Sequence, residues 1–204
     1  MTVICLDPGH GTAPAAAVRT EPIGPGSTTQ KIFDGGGAAG EAPIALQIAL
    51  RTRTELERRG FDVVLTRTGA GYRGGNVARA QFCNRRRAAL MVRIHADGSD
   101  DPGRHGVATL TPASHRGWTD DVYAASGRAA RLVQQAVVRA TGAADAGVVE
   151  RSDLTGFNWA DVPAVLVETG FLTNPTERRR LLDPRYRLRI ARGLAAGVAT
   201  FVRR

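Results

Sequence analysis

Short apolar runs alternate with helical stretches along most of the chain. The apolar runs predict strands at residues 3–6, 61–66, 90–94, 106–110 and 164–167. Apolar positions with a 3.6-residue period, together with start signals such as proline, predict helices over about 41–59 and 76–89, from 120 or 121, from near 175 and from about 184. This alternation predicts an α/β fold: a single-domain, three-layer sandwich with a twisted, mainly parallel sheet flanked by helices on both faces.

Residues 11–40 interrupt the pattern. They hold many Gly, Pro, Ser and Thr residues and show no periodicity, so we expect a long loop there. Loops of this length in compact domains are usually functional. The 204 residues contain no internal repeat or linker, and we therefore expect one domain over residues 1–204.

Composition bears on the partners more than on the fold. The formal net charge is +9, and Lys31 is the one lysine among 28 basic residues. Such a surface attracts nucleic acid, anionic lipid or an anionic wall polymer, although the arginine-rich composition also fits a GC-rich genome. Aromatic residues make up 5% of the chain and do not alternate with basic ones, so we expect no nucleic-acid binding. No run of 18 apolar residues predicts a membrane span, and we expect a monomer.

The two cysteines, Cys5 and Cys83, are too few for a disulfide-rich scaffold or a cysteine-based zinc site. Cys5 lies in an apolar run and is expected to be a small buried side chain. Sequence spacing does not decide whether the two are bridged.

Four polar residues stand at strand ends or at a helix start. His10, His95 and Glu168 follow apolar runs. Glu41 opens the first helix on its apolar side. Ligands of open α/β sheets gather beyond the carboxyl ends of strands, and two imidazoles with one carboxylate form a catalytic zinc set. A further carboxylate serves as a base for water, but periodicity alone also allows four isolated polar groups.

Several short blocks occur in a fixed order across nearly the whole chain. They read LDPGHG (6–11), GE (40–41), VLTR (64–67), IHAD (94–97) and PAVLVETGFLTN (163–174). Together they resemble the zinc-dependent N-acetylmuramoyl-L-alanine amidases of the type-3 amidase family. The segment RSDLTGFN (151–158) is similar to secreted amidases of mycobacteria and their relatives.

The resemblance implies roles for the four polar residues. His10, Glu41 and His95 correspond to zinc ligands, and Glu168 corresponds to the catalytic carboxylate. The cofactor implied is Zn²⁺.

Four further residues are candidates for supporting roles. Arg151, Asp97 and Asn158 are candidate substrate contacts. Asp7 is a candidate for orienting a metal ligand without binding the metal itself. A role as a turn-forming aspartate before Pro8 explains Asp7 equally well.

The implied reaction is hydrolysis of the amide between N-acetylmuramic acid and L-alanine of the peptidoglycan stem peptide. Two alternatives stay open: another zinc peptidase such as a carboxypeptidase, and a non-catalytic wall-binding regulator on the same fold. The implied location is extracellular, in the cell wall or in a periplasm-like space. No basic-then-apolar leader precedes residues 3–6, so a removed leader and release as a phage lysin are both compatible with the sequence.

Overall fold

Strands and helices alternate through the computed structural model, which describes residues 1–11, 19–33, 36–71 and 74–203. The strands are β1 Val3–Pro8, β2 Thr20–Pro22, β3 Gln30–Ile32, β4 Asp62–Leu65, β5 Leu90–His95, β6 Val107–Pro112, β7 Asp145–Arg151 and β8 Ala164–Glu168. The helices are α1 Glu41–Glu57, α2 Asn76–Arg85, α3 Tyr123–Thr141, α4 Thr155–Asn158, α5 Pro175–Leu182 and α6 Pro184–Val202.

A six-stranded sheet in the order β4-β1-β5-β8-β6-β7 forms the middle layer. Neighbouring strands are parallel except for β6 and β8, which are antiparallel. Strands β4, β1, β5 and β8 therefore end at one edge of the sheet, and β6 begins there. The predicted α/β sandwich with a mainly parallel sheet is confirmed.

Each face of the sheet carries its own apolar cluster. Helices α1, α3 and α6 cover one face, where Ile48 and Leu194 pack with Val165 of the sheet. Helices α2 and α4 cover the other face, where Phe157 packs with Met91. Within the described ranges, no helix has both the length and the apolar content needed to cross a membrane.

The structure differs from the predicted loops in two places. Strands β2 and β3 pair as an antiparallel hairpin within the segment predicted as a loop. The short helix α4 also lies in a stretch predicted as a loop. Both elements are too short to show a sequence period, because a few residues do not complete a repeat. Residues 12–18 and 34–35 of the predicted loop lie outside the described residues.

Cys5 and Cys83 form a disulfide that joins β1 to α2 across 78 residues of sequence. Both residues are fully buried, as expected for Cys5. A bridge that closes a loop of this length stabilises a protein by about 4 kcal/mol through the unfolded chain. The pairing depends on how α2 packs against the sheet, which sequence spacing does not show.

Candidate metal centre and active site

Three predicted ligands converge at the edge where β1 and β5 end. His10 follows β1, His95 ends β5 and Glu41 begins α1. The parallel pairing of β1 with β5 places their ends side by side. One ligand atom from each residue lies within 4.8 Å of the others. The structure thus brings these three side chains together at one point.

Glu41 lies between the two histidines. Its Oε1 is 3.3 Å from His10 Nε2 and 2.9 Å from His95 Nδ1. Atoms that share a tetrahedral zinc ion lie about 3.3 Å apart, so this spacing suits one ion. The Nε2 atom of His95 is also buried without a hydrogen-bond partner in the part of the chain that the structure describes. Buried polar atoms are rarely left in this state.

Backbone groups hold the Glu41 carboxylate in place. Its Oε2 accepts from Ala38 N at 2.8 Å and its Oε1 from Ala96 N at 3.1 Å. Burial alone would raise the pKa of Glu41, but hydrogen bonds from His10 and His95 outweigh burial and hold that pKa well below its usual range. The group is therefore ionised, as a metal ligand requires.

Two glycines leave room for the side chains of the candidate ligands. A Cβ on Gly9 would lie 2.5 Å from His95 Cε1. A Cβ on Gly37 would lie 2.5 Å from both His10 Cδ2 and Glu41 Oε2. His10 itself has φ 55°, in the left-handed region that disfavours a residue with a side chain. Surrounding contacts must hold this conformation, and strained residues of this kind cluster at functional sites.

Arg67 ties the chain before His10 to the start of α1. Its Nε donates to Pro8 O at 3.0 Å, and its Nη2 donates to Gly9 O at 2.8 Å and to Ala42 O at 2.7 Å. The side chain is 4% exposed. One planar guanidinium thus fixes the segments that carry the candidate ligands His10 and Glu41 relative to each other.

Asp7 supports the same loop from within β1. Its Oδ1 accepts from Thr66 Oγ1 and Arg79 Nη1 at 2.5 and 2.6 Å, and its Oδ2 accepts from Arg93 Nε at 2.8 Å. Burial would raise the pKa of Asp7, but the two arginines and Thr66 hold it well below its usual range. Arg79 Nη2 in turn donates to the backbone oxygen of His10 at 2.7 Å.

The position of Asp7 corrects one of the two sequence interpretations. Asp7 lies inside a strand and is fully buried, so the account of it as a turn former is wrong. No contact between its carboxylate and a ligand side chain is present among the described residues. Asp7 reaches the ligand set through Arg79 and the backbone of His10.

The roles of Arg67 and Arg79 were not predicted from the sequence. Arg67 belongs to the VLTR block directly after a strand, and that position was the available signal. Arg79 lies in a helix that contains another arginine, and nothing in the sequence distinguishes it.

Glu168 ends β8 and pairs in register with His95. Its Oε2 is buried and has no hydrogen-bond partner in the described ranges. Burial raises the pKa of Glu168 well above its usual range; Asp97 and Glu41 add to this, while His10 opposes it. The register with His95 places this buried carboxyl group beside the candidate metal centre.

Two of the candidate substrate contacts lie near Glu168. Arg151 binds both carboxylate oxygens of Asp153, at 2.7 and 2.9 Å. That pairing raises the pKa of Arg151, and smaller contributions from Asp97 and Glu168 put the guanidinium within electrostatic reach of both. Asp97 Oδ1 accepts from Gly98 N at 2.7 Å.

The third candidate, Asn158, is directed into the protein. It is 2% exposed, and its Nδ2 donates to Ile23 O and Ser152 O, both at 3.0 Å. The next residue, Trp159, donates from Nε1 to Pro22 O at 3.0 Å. These contacts anchor the β2–β3 hairpin, and the amide nitrogen of Asn158 has no hydrogen left for a substrate.

Known proteins similar to this chain identify its family. The family profile described as N-acetylmuramoyl-L-alanine amidase matches residues 4–200. The chain belongs to this family. The N-acetylmuramoyl-L-alanine amidase Rv3717 of Mycobacterium tuberculosis is 30% identical over 207 residues, which cover 98% of this chain and 86% of that protein.

Solved amidase structures share the fold. The amidase Ami1 from Mycobacterium smegmatis is 27% identical with a TM-score of 0.88, over 98% of this chain and 96% of that one. The catalytic domain of the amidase CwlV from Bacillus (Paenibacillus) polymyxa var. colistinus is 26% identical with a TM-score of 0.78, over 100% and 99% of the two chains. The predicted family and enzyme class, an N-acetylmuramoyl-L-alanine amidase, are confirmed.

Proposed function

We propose that this amidase cleaves the bond between N-acetylmuramic acid and L-alanine with a zinc ion held by His10, Glu41 and His95. The convergence of these three side chains at ligand spacing carries the proposal. Two imidazoles and one carboxylate are the donors of catalytic zinc sites that keep a position open for water. One anionic ligand leaves such a site with a net charge of +1.

Glu168 is the residue that transfers the proton in this reaction. Zinc, when bound, supplies Lewis acidity that polarises the scissile carbonyl and lowers the pKa of water toward about 7. Glu168 takes the proton of the attacking water and passes it to the leaving nitrogen of L-alanine. The burial of Glu168 and its register with His95 support this role, because both keep the carboxyl beside the ligand set and away from bulk water.

The two alternative readings differ in their products. A non-catalytic relative would be expected to lack a ligand or the base, whereas this chain has all four residues. A zinc carboxypeptidase would release a terminal amino acid. The amidase releases the intact stem peptide.

The location follows from the substrate and from the disulfide. Disulfides persist in oxidising compartments, and Cys5–Cys83 supports placement outside the cytosol, in the cell wall or a periplasm-like space. The amidase relatives agree with a cell-wall location. The monomeric state stays a prediction, which light scattering checks.

Mass spectrometry of a defined muropeptide digest tests the proposed function. The wild type should release intact stem peptide, and Glu168→Ala should retain bound zinc while losing at least about 10²-fold in rate. Chelation should abolish cleavage and added zinc should restore it. Glu57→Gln, at a half-exposed carboxylate of α1, is the control and should behave as wild type. Full activity after complete chelation, or a normal rate for Glu168→Ala, would contradict the proposal.

A further inference from the structure

We propose that the outer surface of α1 and α6 binds a phosphodiester-linked anionic polymer of the cell wall and thereby holds the enzyme near its substrate. The inference rests on the proposed function because that function places the protein at the wall. The surface consists of five arginines, which we call the arginine ridge: Arg51, Arg58 and Arg59 in and directly after α1, and Arg187 and Arg192 of α6.

Positive charge is concentrated around these two helices. Residues 51–59 and 183–192 contain eight arginines and three acidic residues, which is a formal net charge of +5 out of +9 for the whole chain. Helix α1 packs against α6, and Arg192 Nε lies 3.6 Å from Glu55 Oε1 across this contact. A bias in composition alone would spread the positive excess over the whole surface. Its concentration on one pair of helices favours a surface that attracts an anionic partner.

One carboxylate orients three arginines of the ridge. Besides its contact with Arg192, Glu55 accepts from Arg58 Nη1 at 3.3 Å and from Arg59 Nη1 at 3.1 Å. The side chain of Glu55 is 10% exposed, whereas those of Arg58 and Arg192 are 69% and 59% exposed. A single negative charge is thus shared by three guanidinium groups, and the group presents a net positive charge to the solvent.

Arg187 and Arg51 form the second part of the ridge. Arg187 Nη1 donates to Leu181 O at 2.6 Å, while its Nε is buried without a hydrogen-bond partner in the part of the chain that the structure describes. Burial lowers the pKa of Arg187, the positive charge of Arg51 lowers it further, and Asp183 opposes both. The two guanidinium groups are therefore close enough to repel each other, and an anion bound between them would relieve this repulsion.

The arginine ridge lies away from the candidate metal centre. Helix α1 begins at the candidate ligand Glu41, and Arg51 follows about 15 Å further along the helix axis. Arg58 lies about 25 Å from Glu41 along the same axis. A polymer bound to the ridge therefore leaves the metal centre open to substrate.

The side chains of α1 and α6 distinguish between anionic partners. Their aromatic residues, Tyr186 and Phe201, are 2% and 6% exposed, whereas single-stranded nucleic acids stack on exposed rings. Within the described ranges neither helix has an exposed large apolar side chain, which helices that bind membrane surfaces insert into the lipid. A polar chain of sugar or polyol units joined by phosphodiesters needs only the cations, and arginine binds phosphate through paired donors.

Sedimentation with purified bacterial cell walls that carry poly(glycerol phosphate), performed in the cold to slow digestion, tests the arginine ridge. The wild type should bind these walls and should lose most of this binding after hydrofluoric acid has removed the phosphodiester-linked polymer. The double variant Arg51→Gln, Arg192→Gln should bind intact walls about tenfold more weakly. Its affinity should also depend less on salt, with a slope of log affinity against log salt concentration that is smaller by about one for each arginine.

A second double variant controls for the loss of charge itself. Arg85→Gln, Arg116→Gln removes two positive charges from exposed positions outside α1 and α6 and should bind intact walls within about twofold of the wild type. Both double variants should cleave a soluble muropeptide at the wild-type rate. Glu55 keeps Arg58 and Arg59 as partners in the ridge variant, so this variant should fold, as circular dichroism verifies.

Competition identifies the partner. At equal phosphate concentration, free poly(glycerol phosphate) should displace the wild type from walls better than duplex DNA or phosphatidylglycerol vesicles. Undiminished binding to acid-treated walls, stronger competition by DNA or vesicles, or an equal loss of binding in the control variant would overturn the inference. Failure of the wild type to cleave the soluble muropeptide would overturn the proposed function instead.

Discussion

Replacing Arg67 with lysine should weaken zinc binding although no ligand is altered. Arg67 is 4% exposed and donates to the backbone oxygens of Pro8, Gly9 and Ala42. Lysine keeps the positive charge but carries one ammonium on a flexible chain, and it cannot reproduce the planar fork of arginine. The loop that carries His10 should then move relative to the start of α1.

The structure sets the size of the effect. Arg67 also donates from Nη1 to Gly69 O at 2.9 Å. If lysine retains one of these four contacts, three hydrogen bonds from a charged donor are lost, at about 1.5 kcal/mol each. Part of the lost hydrogen-bond free energy lowers the free energy of unfolding. The rest is lost from zinc binding, because the candidate ligands are held less firmly in place. Mutation of a residue that orients metal ligands typically weakens metal binding by about 10- to 100-fold. We therefore expect the zinc Kd of Arg67→Lys to be about 10- to 100-fold higher than that of the wild type.

Competition against a chromophoric chelator measures this Kd directly. Arg187→Lys is the matched control, because Arg187 is also buried and donates to a backbone oxygen, that of Leu181, at 2.6 Å. Circular dichroism verifies that both variants are folded. The reasoning is refuted if Arg67→Lys binds zinc as tightly as wild type, or if the control loses as much affinity.

Gly9, Asp7 and the Cys5–Cys83 disulfide can each be perturbed separately. Gly9→Ala should lower zinc affinity in the same competition assay, because the added Cβ would lie 2.5 Å from His95 Cε1; wild-type affinity would contradict this. The depressed pKa of Asp7 means that its stabilisation is complete above about pH 4 and is lost as the pH falls further. Asp7→Asn should therefore make the free energy of unfolding, measured in urea, depend less on pH below about pH 4. It should also lower that free energy by about 3–5 kcal/mol at pH 7. An unchanged pH profile would count against the ion-pair network. Reduction of Cys5–Cys83 should lower the free energy of unfolding by about 4 kcal/mol, measured by denaturation with and without reductant; equal midpoints would contradict it.

The candidate ligands could be found from the sequence because strand ends are visible in it. His10, His95 and Glu168 each follow a strong apolar run, and the ends of neighbouring parallel strands share one edge of a sheet. The helical period placed Glu41 on the buried side of α1. These local rules were sufficient for the positions of the four residues, and the resemblance supplied their roles.

The supporting residues depend on contacts that no local rule shows. Asn158 binds the β2–β3 hairpin more than a hundred positions earlier in the chain, so its side chain is directed inward. Arg67 and Arg79 act on backbone oxygens, which carry no sequence signature. The Cys5 pairing likewise follows from the docking of α2. Such contacts emerge only when the sheet and both helical layers are assembled.

An anomalous-difference map recorded at the zinc absorption edge, from crystals of the metal-loaded protein, tests the central claim most directly. The account predicts one peak about 2.0–2.2 Å from a nitrogen of His10, a nitrogen of His95 and an oxygen of Glu41. A map without a peak between these residues, or with zinc bound at full occupancy elsewhere, would contradict it.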